Sequence, residues 1–168
     1  FHLEGSPVIV TKSEIPGDRQ RFNLGHELGH LALDIQGDLM AESAANRFVG
    51  AFLVPARIAR YELGTKRTEL NINELDLLKH KYGLSMQAWI YRARDLFIIS
   101  ESTASRLFQR FRINNWHRIE PRQLYPSEAP MRMERLVYRA LAEDLISRSR
   151  AQELLEKTLI SGSDMETN

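Results

Sequence analysis

Two histidines four residues apart bracket a glutamate in the run His26-Glu27-Leu28-Gly29-His30, and that spacing has a use only on a helix. Side chains four apart stack one turn above another, so both imidazoles can turn to one ion while Glu27 projects from the flank. The chain offers few other ways to hold a metal. It has no cysteine and five histidines, which excludes thiolate ligands, iron–sulfur clusters and disulfides and leaves His, Asp and Glu as donors. A zinc ion held by three protein ligands keeps a fourth position open, lowers the pKa of a water towards about 7 and polarises a peptide carbonyl, with Glu27 as the general base. The reaction this motif points to is peptide-bond hydrolysis.

The third donor has three candidates close behind the motif. Asp34 lies one turn beyond His30, Asp38 in the expected turn, and Glu42 at the opening of the next helix. Glu42 is favoured. A second helix packed antiparallel to the first brings its carboxylate from a new direction, as tetrahedral coordination demands, whereas three ligands in line on one helix do not. Asn46, one turn beyond Glu42, is placed to accept the second ring N–H of a histidine and fix its tautomer, and Asp34 is a further candidate for such support.

The rest of the chain reads as a mainly α protein with a small β element. At 168 residues, 43% hydrophobic and 27% charged, it has the composition of a folded domain rather than of a disordered or fibrous one. No stretch approaches the roughly 20 apolar residues of a membrane span, and a cytoplasmic location with no membrane partner is expected. Pro7-Val8-Ile9-Val10 suits a strand of a sheet that lies mostly outside this chain, and the start at Phe1 leads us to expect missing upstream sequence. Asp18 is expected to cap the motif helix, which should end near Gly37, and a second helix should run from about Leu39 to Val54, stopped by Pro55. Asn71 and Ser85 are N-caps for two helices separated by Gly83, a helix-turn-helix-like segment over 71–97, and Ser100 caps another over about 101–113. Residues 120–130, with three prolines, read as a linker, 131–160 as a helical hairpin and 161–168 as a disordered tail, leaving 1–119 as the main domain. The net charge of +1 conceals a cluster of seven arginines against three acids between Tyr91 and Arg122.

The ordered set Arg21-Phe22-Asn23-Leu24-Gly25-His26-Glu27-Leu28-Gly29-His30, Glu42, Ala45-Asn46, Phe48 and Phe52-Leu53-Val54-Pro55 resembles the ImmA/IrrE family of metallopeptidases. Lys81-Tyr82-Gly83-Leu84-Ser85 through Ala93, and Asn115-Trp116-His117-Arg118-Ile119-Glu120-Pro121, extend the similarity over most of Pro7 to Pro121. The resemblance implies a zincin-like active-site helix and a zinc endopeptidase that cleaves an Xre-type repressor in phage, mobile-element or stress regulation. It makes His26, His30 and Glu42 the ligands and Glu27 the base, and an Xre-type domain often precedes such a peptidase. Five positions depart from the family pattern: Gly25 for a usual alanine, Asp34 for a frequent histidine, Ala44 for a common glutamate, and Val49 and Gly50 for small alanines. Arg92, Tyr91 and Tyr82 are candidates for the oxyanion donor. The rival expectation is a DNA-binding or regulatory interaction domain with a structural or vestigial metal site, DNA being met through Arg92 and Arg94 or through a missing upstream domain.

Overall fold

Three polar N-caps and one glycine shape the centre of the chain. In the computed structural model, which describes residues 2–3, 6–12, 15–35 and 37–163, Asn71 opens helix α4 (Ile72–Tyr82) with a capping box. Its side chain accepts from the Asn73 backbone N–H while Glu74 reaches back to the Asn71 N–H. Gly83 ends that helix at φ 63°, ψ 37°, the left-handed conformation in which a side chain is strained. Ser85 then accepts from the Ala88 N–H at the start of α5 (Met86–Asp95), and Ser100 from the Thr103 N–H at the start of α6 (Glu101–Ile113). These are the expected caps. Trp89, Ile90, Leu75, Leu107 and Phe111 from these three helices close over one another with Leu84 from the turn between α4 and α5, each worth about 1.5–3 kcal/mol of burial.

Ahead of this core lie α1 (Gly17–Ala32), α2 (Asp38–Leu53) and the short α3 (Ala56–Leu63). Pro55 precedes α3, as expected, and Gly64 follows it at positive φ. Helices α1 and α2 form an antiparallel pair whose separation is set by small residues. A Cβ on Gly25 would lie 2.4 Å from Val49 Cγ2, and one on Gly29 would lie 3.1 Å from the Ala45 Cα. Only glycine at these positions lets the two backbones approach so closely. The β structure among the described residues is one antiparallel ladder, β1 (His2–Leu3) with β2 (Ser6–Pro7), in which His2 pairs with Pro7 and Leu3 with Ser6.

Several expected boundaries shift. The strand ends at Pro7, so Val8-Ile9-Val10 lies outside any strand among the described residues. Helix α1 stops at Ala32 rather than near Gly37, with the Leu33 N–H closing on the Gly29 carbonyl. Asp18 does not cap it. The N-cap is Pro16, and Asp18 is buried beside Lys79, whose ammonium lies 3.9 Å from Asp18 and 3.1 Å from the equally sequestered Glu120. The proline-containing stretch expected as a linker is thereby tied down at its start, and again where the Gly17 N–H donates to the Pro126 carbonyl and Arg21 pairs with Glu128.

The chain divides into two compact units, Phe1–Glu128 and Ala129–Asn168. The second holds α7 (Arg132–Ala142) and α8 (Arg148–Ser163), in which Val137 and Ala151 are buried. Helix α8 continues through residues 161–163, which had been expected in a disordered tail, and 164–168 lie outside the described residues. Among the described residues no helix is long and apolar enough to cross a membrane.

Candidate metal centre

The close approach at Gly25–Val49 and Gly29–Ala45 sets an antiparallel register, and the neighbouring positions on each helix meet in the same register. His26 falls opposite Asn46 and His30 opposite Glu42. The Nε2 atoms of His26 and His30 are 3.0 Å apart, and the Glu42 carboxylate lies 3.3 Å from the first and 3.1 Å from the second. The rings stand edge to face, 76° between planes. Three donor groups thus converge, from one helix turn and its neighbour.

The tautomer follows from the fourth residue. Asn46 Oδ1 sits 3.0 Å from His26 Nδ1 and accepts its N–H, which leaves the lone pair of His26 on Nε2, facing the cluster. Imidazole nitrogens and carboxylate oxygens offer lone pairs, and packed within 3.3 Å of one another they need a proton or a cation among them. The spacing also suits one. Two ligands about 2.0–2.1 Å from a tetrahedral zinc stand about 3.3 Å apart. His26, His30 and Glu42 are the group of His and acidic residues that could hold a metal ion among the described residues. The Glu42 side chain is 58% exposed, so the centre opens to solvent rather than lying inside the core.

Glu27 is exposed and lines a groove of about 300 Å³ together with His30, Leu31 and the Pro7-Val8-Ile9-Val10 segment. That segment folding back beside the motif helix was not legible in the sequence, because nothing local says which helix an isolated strand-like run will accompany. Asp34 lies two residues past the end of α1, exposed, with no hydrogen bond to either histidine among the described residues. The earlier helix end is the reason it does not continue the ligand face. Asp38 opens α2 and is exposed at its first turn.

The three oxyanion candidates have other partners. Tyr82 donates its hydroxyl to Glu62 at 2.6 Å, and that bond pushes the phenol pKa up. Tyr91 packs on Phe108 with ring centroids 4.4 Å apart and carries the Arg94 guanidinium over its face. Arg92, also the candidate DNA contact of the rival expectation, is buried and donates from Nε to the Val54 carbonyl at 2.9 Å.

A family model described as the IrrE N-terminal-like domain, a peptidase family, matches residues 1–94, from the first strand to the end of α5. No curated protein and no solved structure matches the chain.

Proposed function

The chain belongs to the IrrE N-terminal-like peptidase family, whose members are typically metal-dependent, and on that premise we propose that it is a zinc endopeptidase of zincin-like arrangement that cuts an Xre-type transcriptional repressor. The observation that carries the reading is the convergence of His26 Nε2, His30 Nε2 and the Glu42 carboxylate within 3.3 Å. His26, His30 and Glu42 would hold the ion, and Asn46 fixes the His26 ring so that Nε2 faces it. When bound, zinc supplies Lewis acidity at a peptide carbonyl and acidifies a water molecule.

The chain's own residues do the remainder. Glu27 stands one residue from His26 on the groove side, takes the proton of the attacking water on its carboxylate and returns it to the leaving amine nitrogen. The Val8-Ile9-Val10 segment along the same groove, outside any strand among the described residues, is where a substrate strand could pair by β-augmentation. The repressor as substrate, and a role in phage, mobile-element or stress regulation, rest on the resemblance of the ordered motif set.

The test uses purified protein and the Xre-type repressor as substrate. Wild type should carry about one zinc per chain and cleave it, Glu27→Gln should keep the zinc and lose cleavage, and His30→Ala should lose both. Cleavage undiminished in Glu27→Gln would overturn the assigned chemistry. Zinc retained by His30→Ala would overturn the ligand set. Metal held by wild type with no cleavage would favour the regulatory alternative, in which the ion is structural.

A further inference from the structure

On the far side of Asn46 from the histidines, α1, α2 and α5 enclose a second cavity of about 760 Å³, within the range of pockets that take small organic ligands. Its walls are strongly basic. Arg19, Arg47, Arg92 and Arg94 line it, against Asp95 as the acidic residue in its lining. That carboxylate is already shared, 3.2 Å from Arg94 and 3.7 Å from Arg47.

Arg92 is the residue that most needs an explanation. It is only 9% exposed, its Nε is spent on the Val54 carbonyl, and its two terminal nitrogens make no hydrogen bond among the described residues. The comparison within the same molecule is Arg67, less buried, which grips Glu74 through two parallel hydrogen bonds of 2.9 and 3.0 Å. Arg92 has no such carboxylate. Burial pushes its pKa down, Asp95 offsets this in part, and the nearby cations Arg47 and Arg60 push it down further. Its terminal nitrogens therefore line the cavity as free, charged donors, the groups that an anion entering it would meet.

The remaining lining narrows the ligand. Phe22 and Tyr91 provide aromatic surface, and Asn23 and Gln87 provide amide groups that can hydrogen-bond a heterocycle edge. A lone inorganic phosphate would leave most of the volume and both aromatics unused. We propose that this cavity is a binding site for a small phosphorylated ligand of nucleotide size, with its phosphates on the arginine cluster and its ring against Phe22 and Tyr91. The site is separate from the metal centre and does not depend on peptidase activity. It adjoins that centre all the same, because Asn46 lines the cavity with the amide whose oxygen holds His26.

Calorimetric titration of the full chain with ATP, pyrophosphate, adenosine and a glutamate-rich peptide tests this. ATP should bind saturably and at least about tenfold more tightly than adenosine or pyrophosphate. Arg47→Glu and Arg92→Met should each weaken ATP about ten- to hundredfold, the range that charge-assisted hydrogen bonds correspond to. Arg47 is a surface residue, so its variant keeps the test valid if Arg92→Met does not fold. His30→Ala should bind ATP as wild type does. No saturable ATP binding, or ATP affinity unchanged in Arg47→Glu, overturns the proposal. So does loss of binding in His30→Ala, which would put the phosphates on the metal, and so does binding of the acidic peptide in place of ATP.

Discussion

Replacing Gly25 by alanine probes the contact that sets the distance between the two helices of the candidate metal centre. The added Cβ would lie 2.4 Å from Val49 Cγ2, against about 3.5–4.0 Å for an ordinary carbon contact, and 3.3 Å from the Val49 Cβ. Val49 cannot swing aside, because it is fully buried and a β-branched residue in a helix has essentially one rotamer. The helices must then part by on the order of 1 Å, an overpacking cost of about 1–3 kcal/mol. Glycine to alanine in a helix interior returns about 1 kcal/mol of propensity, so the single change should destabilise by about 0–2 kcal/mol. The sharper quantity is the coupling with Val49→Ala, which vacates the space that the new methyl needs. Urea unfolding of wild type, both single variants and the double variant, all in chelator so that metal linkage does not contribute, should give a favourable coupling of about 1–3 kcal/mol. A coupling within about 0.5 kcal/mol of zero would refute the close-approach argument. The pair also accounts for two departures from the family pattern at once. Where the family usually has alanine opposite small alanines, this chain has glycine opposite valine, a trade of volume across the same interface.

Asn46→Ala should lower zinc affinity about 10- to 100-fold in a chelator competition while leaving the urea midpoint nearly unchanged, since the side chain is exposed and its hydrogen-bond partner among the described residues is His26. Lys79→Met should cost about 3–5 kcal/mol in urea unfolding, because it leaves Asp18 and Glu120 sequestered without their cation. Hydrogen bonds from Lys81 and Tyr82 hold the Glu62 carboxyl below its usual pKa. Its stabilisation is therefore full above the unfolded value of about 4.3 and is lost as pH falls through the lower folded value, so the stability gap between wild type and Glu62→Gln should close on acidification below about pH 4.

What could be read from the sequence was what local chemistry decides. The caps at Asn71, Ser85 and Ser100, the left-handed Gly83 and the break at Pro55 each depend on a few neighbouring residues, and each stands where expected. The pairing of His30 with Glu42 and of His26 with Asn46 was accessible for a related reason, since two short helices in succession have few ways to pack. Two of the misreadings are tertiary, and one lies at a helix end. Asp18 looked like a cap until Lys79 and Glu120, some 60 and 100 residues on, claimed it as an ion partner. Arg92 was a candidate DNA contact until α2 covered it. Asp34 was assigned to a helix face because Leu33-Asp34-Ile35 contains no breaker, yet α1 had already ended.

The three donors belong to two successive helices joined by the five residues 33–37, whereas the main apolar cluster draws its buried members from Val54 onward. The centre is therefore mounted beside the most cooperative part of the molecule and not within it. The donor-bearing end of this hairpin, away from the Asp18–Lys79 anchor at the start of α1, can open at a lower free energy than the α4–α6 assembly and rebuild without long-range loop closure. An ion bridging both helices would then act chiefly on that local equilibrium, so amide protons of α1 and α2 should slow their exchange on zinc addition while those of α5 barely change.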